Sequence, residues 1–249
     1  MTGPFPQLGG RGIGFIPQQI SGLMMYYDSR LCVATSGGNV TQWNDLSGNG
    51  FNLVPITGTL GPAYSIDSNN QPCLGSVSPV TASISLSTLL PTTLIPTDPV
   101  DVFCVINPTV TASYPSTFVY LMLMDNNSST PTTSRDFFQG NATGNKLRVG
   151  AGGQSSFGSN LLLGTQVMEV VFSGGASYMA LNGSNAPVTN ILAASFPSNR
   201  MTLFNRPTVQ DGAWAGLMYA FLVFNRQLAA NEIQQLTRYF GQSFNITVP

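Results

Sequence analysis

The chain has 249 residues, of which 43% are hydrophobic and 10% aromatic, enough apolar material for a sizeable core. Only 8% are charged, against about 25% in an average globular domain, and the formal net charge is −1. The nine basic residues are scattered between Arg11 and Arg238, so no cluster neutralises a run of phosphates and nucleic acid is excluded as a partner.

Residues 1–19 read as an extended arm. Pro4, Pro6, Pro17 and five glycines forbid a regular helix or a central strand there. Phe5, Leu8, Ile13, Phe15 and Ile16 give the arm apolar anchors that a solvated linker would not carry. They are the expected contacts to a neighbouring subunit or a shell protein; the other reading packs them along their own domain. The arm has no apolar run suited to a signal peptide. No later stretch approaches the roughly 20 apolar residues of a membrane span, so no membrane partner is expected.

Residues 20–249 read as one domain of short strands between turn signals. Residues 23–27 are a first apolar run. Gly37-Gly38-Asn39 punctuates, residues 40–43 follow, and Ser47-Gly48-Asn49-Gly50 is a turn cluster. The Ser/Thr/Pro-rich residues 77–99 read as a strand plus a long loop. Residues 100–106 are almost continuously apolar and stop at Asn107-Pro108, the pattern of a strand buried on both faces. Further strands are predicted over 117–124, 146–149 and 167–173. Residues 178–181 run into Asn182-Gly183, the strongest short hairpin signal. Strands over 200–204 and 215–225 finish the β series. One helix is predicted over 230–240, because Ile233, Leu236 and Phe240 fall at i, i+3 and i+7 and Gly241 stands after them as a stop.

The chemistry the chain lacks narrows its functions. Histidine is absent, which removes the usual general base of nucleophilic catalysis and the commonest metal ligand. Glutamate occurs only at Glu169 and Glu232, neither within the E-x-D-x-x-E pattern that would place two carboxylates on one strand. The expectation is a chain that is not an enzyme. Cys32, Cys73 and Cys104 are odd in number and widely spaced, so they read as buried thiols, with one bridge between two of them left open.

Two blocks carry a resemblance. The first is Gly22-Leu23-Met24-Met25-Tyr26-Tyr27-Asp28 with Val40-Thr41-Gln42-Trp43-Asn44-Asp45-Leu46-Ser47-Gly48-Asn49-Gly50. The second is Gly216-Leu217-Met218-Tyr219-Ala220-Phe221-Leu222-Val223-Phe224-Asn225-Arg226-Gln227-Leu228, running into Asn231-Glu232-Ile233 and Tyr239. Their order resembles the concanavalin A-like, laminin-G-like jelly-roll domains, including those of phage and virus structural proteins. Over residues 20–245 the resemblance implies an all-β, two-sheet antiparallel jelly-roll sandwich with one short C-terminal helix. It departs from the family where a serine usually caps that helix; here Ala229 and Ala230 stand.

Asp45, Ser47 and Asn49 read first as closing their own turn through side-chain hydrogen bonds. The second reading is an irregular calcium site with Asp45 and Asn49 among its ligands; no other cofactor is expected. Two functions follow. The first is a virion structural protein, a capsid decoration, cement or spike protein. It would lie on the capsid surface as a homo-oligomer in contact with the major capsid protein, and its charge-poor surface would not oppose association. The alternative is an extracellular, lectin-like carbohydrate-binding module for host glycans. Tyr114, Phe157 and Trp214 are then the candidate glycan contacts, each an aromatic beside small or polar loop residues.

Overall fold

The computed structural model describes residues 14–31, 33–76, 84–91, 97–108, 118–124, 135–140, 146–151, 154–160, 164–187, 199–205 and 214–248. In chain order its strands are β1 (Leu23–Asp28), β2 (Val33–Ser36), β3 (Asn39–Trp43), β4 (Tyr64–Ile66), β5 (Pro72–Ser76), β6 (Leu86–Leu89), β7 (Val100–Pro108) and β8 (Phe118–Met124). There follow β9 (Arg135–Gly140), β10 (Lys146–Ala151), β11 (Gln154–Asn160), β12 (Gln166–Phe172), β13 (Tyr178–Leu181), β14 (Ser184–Pro187), β15 (Arg200–Leu203) and β16 (Gly216–Phe224). A short 3-10 turn, Pro17–Gln19, precedes them, and helix α1 (Ala230–Phe244) is the last element.

The strands form two antiparallel sheets of eight and six strands and a small ribbon of β2 and β3. The larger sheet runs β14-β13-β12-β7-β16-β5-β4, with β1 paired to the second half of β16. The smaller sheet runs β11-β10-β9-β8-β15-β6. The inner face of the larger sheet packs on the smaller one, as the expected sandwich requires. Val100, Val102, Cys104 and Ile106 from β7, Met168 and Val170 from β12, and Phe221 and Val223 from β16 meet Leu86, Leu121, Val149 and Leu203 from the other sheet.

The residues in between point outward, yet they too are buried. Phe103, Val105, Val167, Leu222 and Phe224 lie under Leu236, Phe240 and Phe244 of α1. This second layer is why β7, β12 and β16 are apolar at nearly every position. A sheet with one wet face would alternate.

Helix α1 is longer than the sequence pattern suggests. It runs through Gly241 to Phe244 and is capped by Asn245 in the left-handed conformation. Gly241 is not its stop. The tail folds back over it, and the Ile246 amide donates to the Gly241 carbonyl at 2.8 Å. A β-carbon at Gly241 would sit 2.8 Å from Val248 Cγ2. The missing serine cap leaves only half of a capping box. Glu232 Oε2 accepts from the Ala229 amide at 2.8 Å, and the Ala229 side chain has no oxygen to return the bond.

Candidate functional site

The Trp43–Gly50 block is a knot of local hydrogen bonds. Asp45 Oδ1 accepts from the Tyr26 and Ser47 amides at 3.0 and 2.9 Å. Its Oδ2 accepts from the Ser47 hydroxyl at 2.7 Å and the Phe51 amide at 3.1 Å. The Asn49 carboxamide nitrogen donates to the Met24 carbonyl at 2.9 Å. The lone pairs a calcium ion would need on Asp45 are engaged by protein donors, and Asn49 turns a donor, not an acceptor, toward β1. The calcium reading of Asp45 and Asn49 therefore gives way to turn closure. Among the described residues, no group of three metal-ligating side chains gathers elsewhere.

The candidate contact residues scatter. Phe5, Leu8 and Ile13 of the arm, and Tyr114, lie outside the described residues. Phe15 is half-buried and turns toward its own domain, with its ring 5.8 Å from Tyr239 of α1. Ile16, beside it, is 49% exposed. Phe157 lies on β11, where the backbone alone is described.

Trp214 is corrected outright: it is fully buried and packs on Phe204 at 6.0 Å. Its amide donates to the Phe204 carbonyl, which draws the chain inward. Gly216 makes the room, since a β-carbon there would come within 2.5 Å of the Trp214 ring. An indole with no exposed face offers nothing to a sugar. The thiols of Cys73 and Cys104 are free and buried, and burial pushes both above the ordinary thiol range. They pack rather than react; Cys32 lies outside the described residues.

What the structure does assemble is a groove on the outer face of the larger sheet, past the end of α1. Its floor is a cross-strand row. Leu217 of β16 stands opposite Gly75 of β5 on one side and Asn107 of β7 on the other. Gly75 deepens the groove by having no side chain, and the Gly216 carbonyl would lie only 2.1 Å from a β-carbon there. Ser65, Ile66, Asp67 and Ser68, from β4 and the turn after it, form the wall of a cleft of about 500 Å³. That volume falls within the range of small-molecule sites.

The wall is held from two directions. Asp67 Oδ1 accepts from the Asn69 and Gln71 amides at 2.9 and 2.8 Å and closes the β4–β5 turn. Asp67 Oδ2 accepts from the Tyr219 hydroxyl at 2.8 Å. Tyr219 packs on Phe244 at the end of α1, so the helix terminus, the sheet and the groove wall share one contact chain. Burial first, and the Asp67 contact after it, raise the Tyr219 phenol well above its ordinary value, so it stays a donor. The lining mixes hydroxyls, a carboxamide and one carboxylate with Leu217 and with Ile66, which is 54% exposed. It can hydrogen-bond a hydroxyl-rich ligand and lay an apolar face against its C–H groups. None of these residues carries a motif; the signal is the register of three strands distant in sequence.

No protein-family model matches the chain, and no curated protein matches it. Solved structures do. A Trypanosoma rangeli sialidase in complex with sialic acid aligns over 90% of this chain and 33% of its own, with 10% identity and a TM-score of 0.60. A structure of botulinum neurotoxin type C, described as depending on two ganglioside molecules for cell entry, aligns over 88% of this chain and 51% of its own, with 12% identity and a TM-score of 0.59. The chain thus spans a third to a half of these proteins, and at such identities the likeness is one of fold. That fold is the all-β jelly-roll sandwich expected from the sequence. The implied link to phage and virus proteins gains no support from these likenesses. The expectation of a chain that is not an enzyme is withdrawn, because sialidases are among the structures that share its fold. The aligned part is a third of each sialidase, so the likeness brings no catalytic residue with it.

Proposed function

We propose that the chain is a carbohydrate-binding module and that the groove between Asp67, Asn107 and Leu217 is its saccharide site. The observation that carries this reading is the composition of the groove, with hydrogen-bonding oxygens and a carboxamide around an apolar floor in an open cleft. The sialic acid and ganglioside named with its structural neighbours support it. Among the described residues the lining has one carboxylate and no cation, which favours a neutral saccharide over a sialylated one.

The test is saturation-transfer NMR of the intact chain against panels of neutral and sialylated oligosaccharides, repeated with Asn107→Ala. Neutral glycans should show transfer that the variant loses. Transfer from sialylated glycans alone would reverse the charge preference. No transfer from any glycan would overturn the reading.

A second reading is favoured by one observation, the scarcity of charge over the whole chain. A Ser/Thr/Asn-rich surface with little net repulsion suits repeated close contact. On this reading the module is displayed as a homo-oligomer on a virus shell, with Ile16 among its contacts, and presents its groove to host glycans. Quantitative mass spectrometry of purified particles tests it. Copy numbers near that of the major shell protein support decoration of the capsid, a few copies support a spike, and absence from particles overturns it.

A further inference from the structure

The outer face of the larger sheet holds two carboxyl groups where apolar side chains would be expected. Asp101 of β7 is fully buried, and Glu169 of β12 is 3% exposed. Asp101 pairs across the ladder with Val171 and Glu169 with Phe103, so the two are diagonal neighbours on one face and their carboxyls meet. Asp101 Oδ2 accepts from the Leu228 amide at 3.1 Å, just before α1 begins. Glu169 Oε1 accepts from the Tyr178 hydroxyl of β13 at 2.6 Å. Asp101 Oδ1 has no donor from the protein. Two ionised carboxylates cannot bond each other, so contact between these two requires a hydrogen on one of them.

Of the charged groups around the pair, Arg226 lowers Asp101, but burial and the Glu169 charge outweigh it. Arg226, in the turn between β16 and α1, gives both terminal nitrogens to Glu232 at 2.8 and 2.7 Å. Tyr178 donates but brings no positive charge.

We propose that Asp101 and Glu169 share one proton at neutral pH, and that Glu169 takes a second from solution on acidification, so that the folded chain gains stability in mild acid. Burial raises both carboxyls. Glu169 is pushed up to about 6, against the lowering effect of its bonds from Tyr178 and Asp101. Asp101 is raised well above its ordinary value by burial first and by the Glu169 charge second. A carboxyl with a raised folded value stabilises the fold fully below its unfolded value of about 4.5 and loses that contribution as pH rises to about 6. Below that window the sign reverses, because Arg226 lowers Glu232 and its contribution disappears only in stronger acid. The chain has no histidine, so no ordinary side chain competes for the interval between pH 5 and 7.

Chemical denaturation of the intact chain between pH 5 and 7.5 tests this. The folding equilibrium should favour the native state by at least roughly a hundred-fold more at the acid end, since the native pair holds a proton that the unfolded carboxyls have lost. Glu169→Gln, which keeps the shape but cannot titrate, should flatten the dependence. A wild-type profile that is flat or falls toward acid overturns the proposal, as does a Glu169→Gln profile that keeps the wild-type slope. If that variant does not fold, carboxyl-carbon NMR of the labelled wild-type protein decides. A Glu169 titration near pH 6 supports the proposal, and titration of every carboxyl below pH 5 overturns it.

Discussion

The Tyr219 hydroxyl donates to Asp67 Oδ2 at 2.8 Å across 152 residues of sequence. This contact fastens the β4–β5 turn to the centre of the larger sheet. The Asp67 carboxylate already closes its own turn, so Tyr219 does not create the turn but fixes where it stands. Tyr219→Phe keeps the ring against Phe244 and removes only the donor. The expected outcome is a loss of about 1.5–3 kcal/mol in stability, the usual contribution of a hydrogen bond to a charged acceptor. A loss of several-fold in affinity for any saccharide bound in the groove should accompany it. Denaturation and titration calorimetry on one preparation separate the two effects. Full stability with unchanged affinity would show that the turn holds its place unaided.

Asp45 is the hub of the Trp43–Gly50 block, with donors from three backbone amides and one hydroxyl. Asp45→Ala leaves the Tyr26, Ser47 and Phe51 amides to find water or remain unpaired. The expected destabilisation is about 2–4 kcal/mol. Calcium in millimolar excess should leave the melting temperature of the wild-type chain unchanged, since the carboxylate is already engaged. A calcium-dependent rise in melting temperature that Asp45→Ala abolishes would restore the metal reading.

Asp28 is fully buried at the end of β1, where Arg30 answers its charge. The Arg30 Nε donates to Oδ1 at 2.9 Å and a terminal nitrogen to Oδ2 at 2.5 Å. Its guanidinium also lies 4.5 Å from the centre of the Phe244 ring. Arg30→Met keeps an aliphatic stem over that ring and strands the carboxylate. Leaving a buried charge without its partner typically costs about 3–5 kcal/mol. The Tyr26 hydroxyl and the Arg30 backbone amide still donate to Asp28, so the expected loss is at the lower end. Asp28→Asn combined with Arg30→Met should recover part of the stability. Equal losses in the single and double variants would show that the ion pair contributes nothing beyond its shape.

The layers of the fold were legible because apolar runs report burial. The runs at 100–106 and 215–225 marked β7 and β16, strands covered on both faces, and Asn182-Gly183 marked the β13–β14 hairpin, with both residues at positive φ. Strand β11 was missed because Gln-Ser-Ser-Phe-Gly-Ser-Asn has no period and a single apolar residue. The groove was invisible for another reason. Gly75, Asn107 and Leu217 become neighbours only through the register of β5, β7 and β16, and no local spacing encodes register. Asp101 and Glu169 were hidden the same way. Each is a lone acid inside an apolar run, and neither announces that the other stands beside it. Trp214 misled because small and polar neighbours suggested an exposed loop, whereas Gly216 was making space for the ring.

Gly241 sets helix propensity against packing. Alanine in a helix interior is favoured over glycine by about 1 kcal/mol. The new β-carbon would stand 2.8 Å from Val248 Cγ2 and 3.2 Å from the Ile246 carbonyl oxygen. Both contacts lie on the segment that returns over the helix, so the clash displaces that segment and leaves the sheet untouched. The two effects nearly offset, and Gly241→Ala should change global stability by less than about 1 kcal/mol. The tail should respond more strongly. The Ile246 amide, bonded to the Gly241 carbonyl at 2.8 Å, should exchange its hydrogen several-fold faster, while amides of β7 and β16 keep wild-type protection. Hydrogen exchange read residue by residue checks both parts. A gain near 1 kcal/mol with unchanged exchange at Ile246 would mean that glycine is not there to admit the tail.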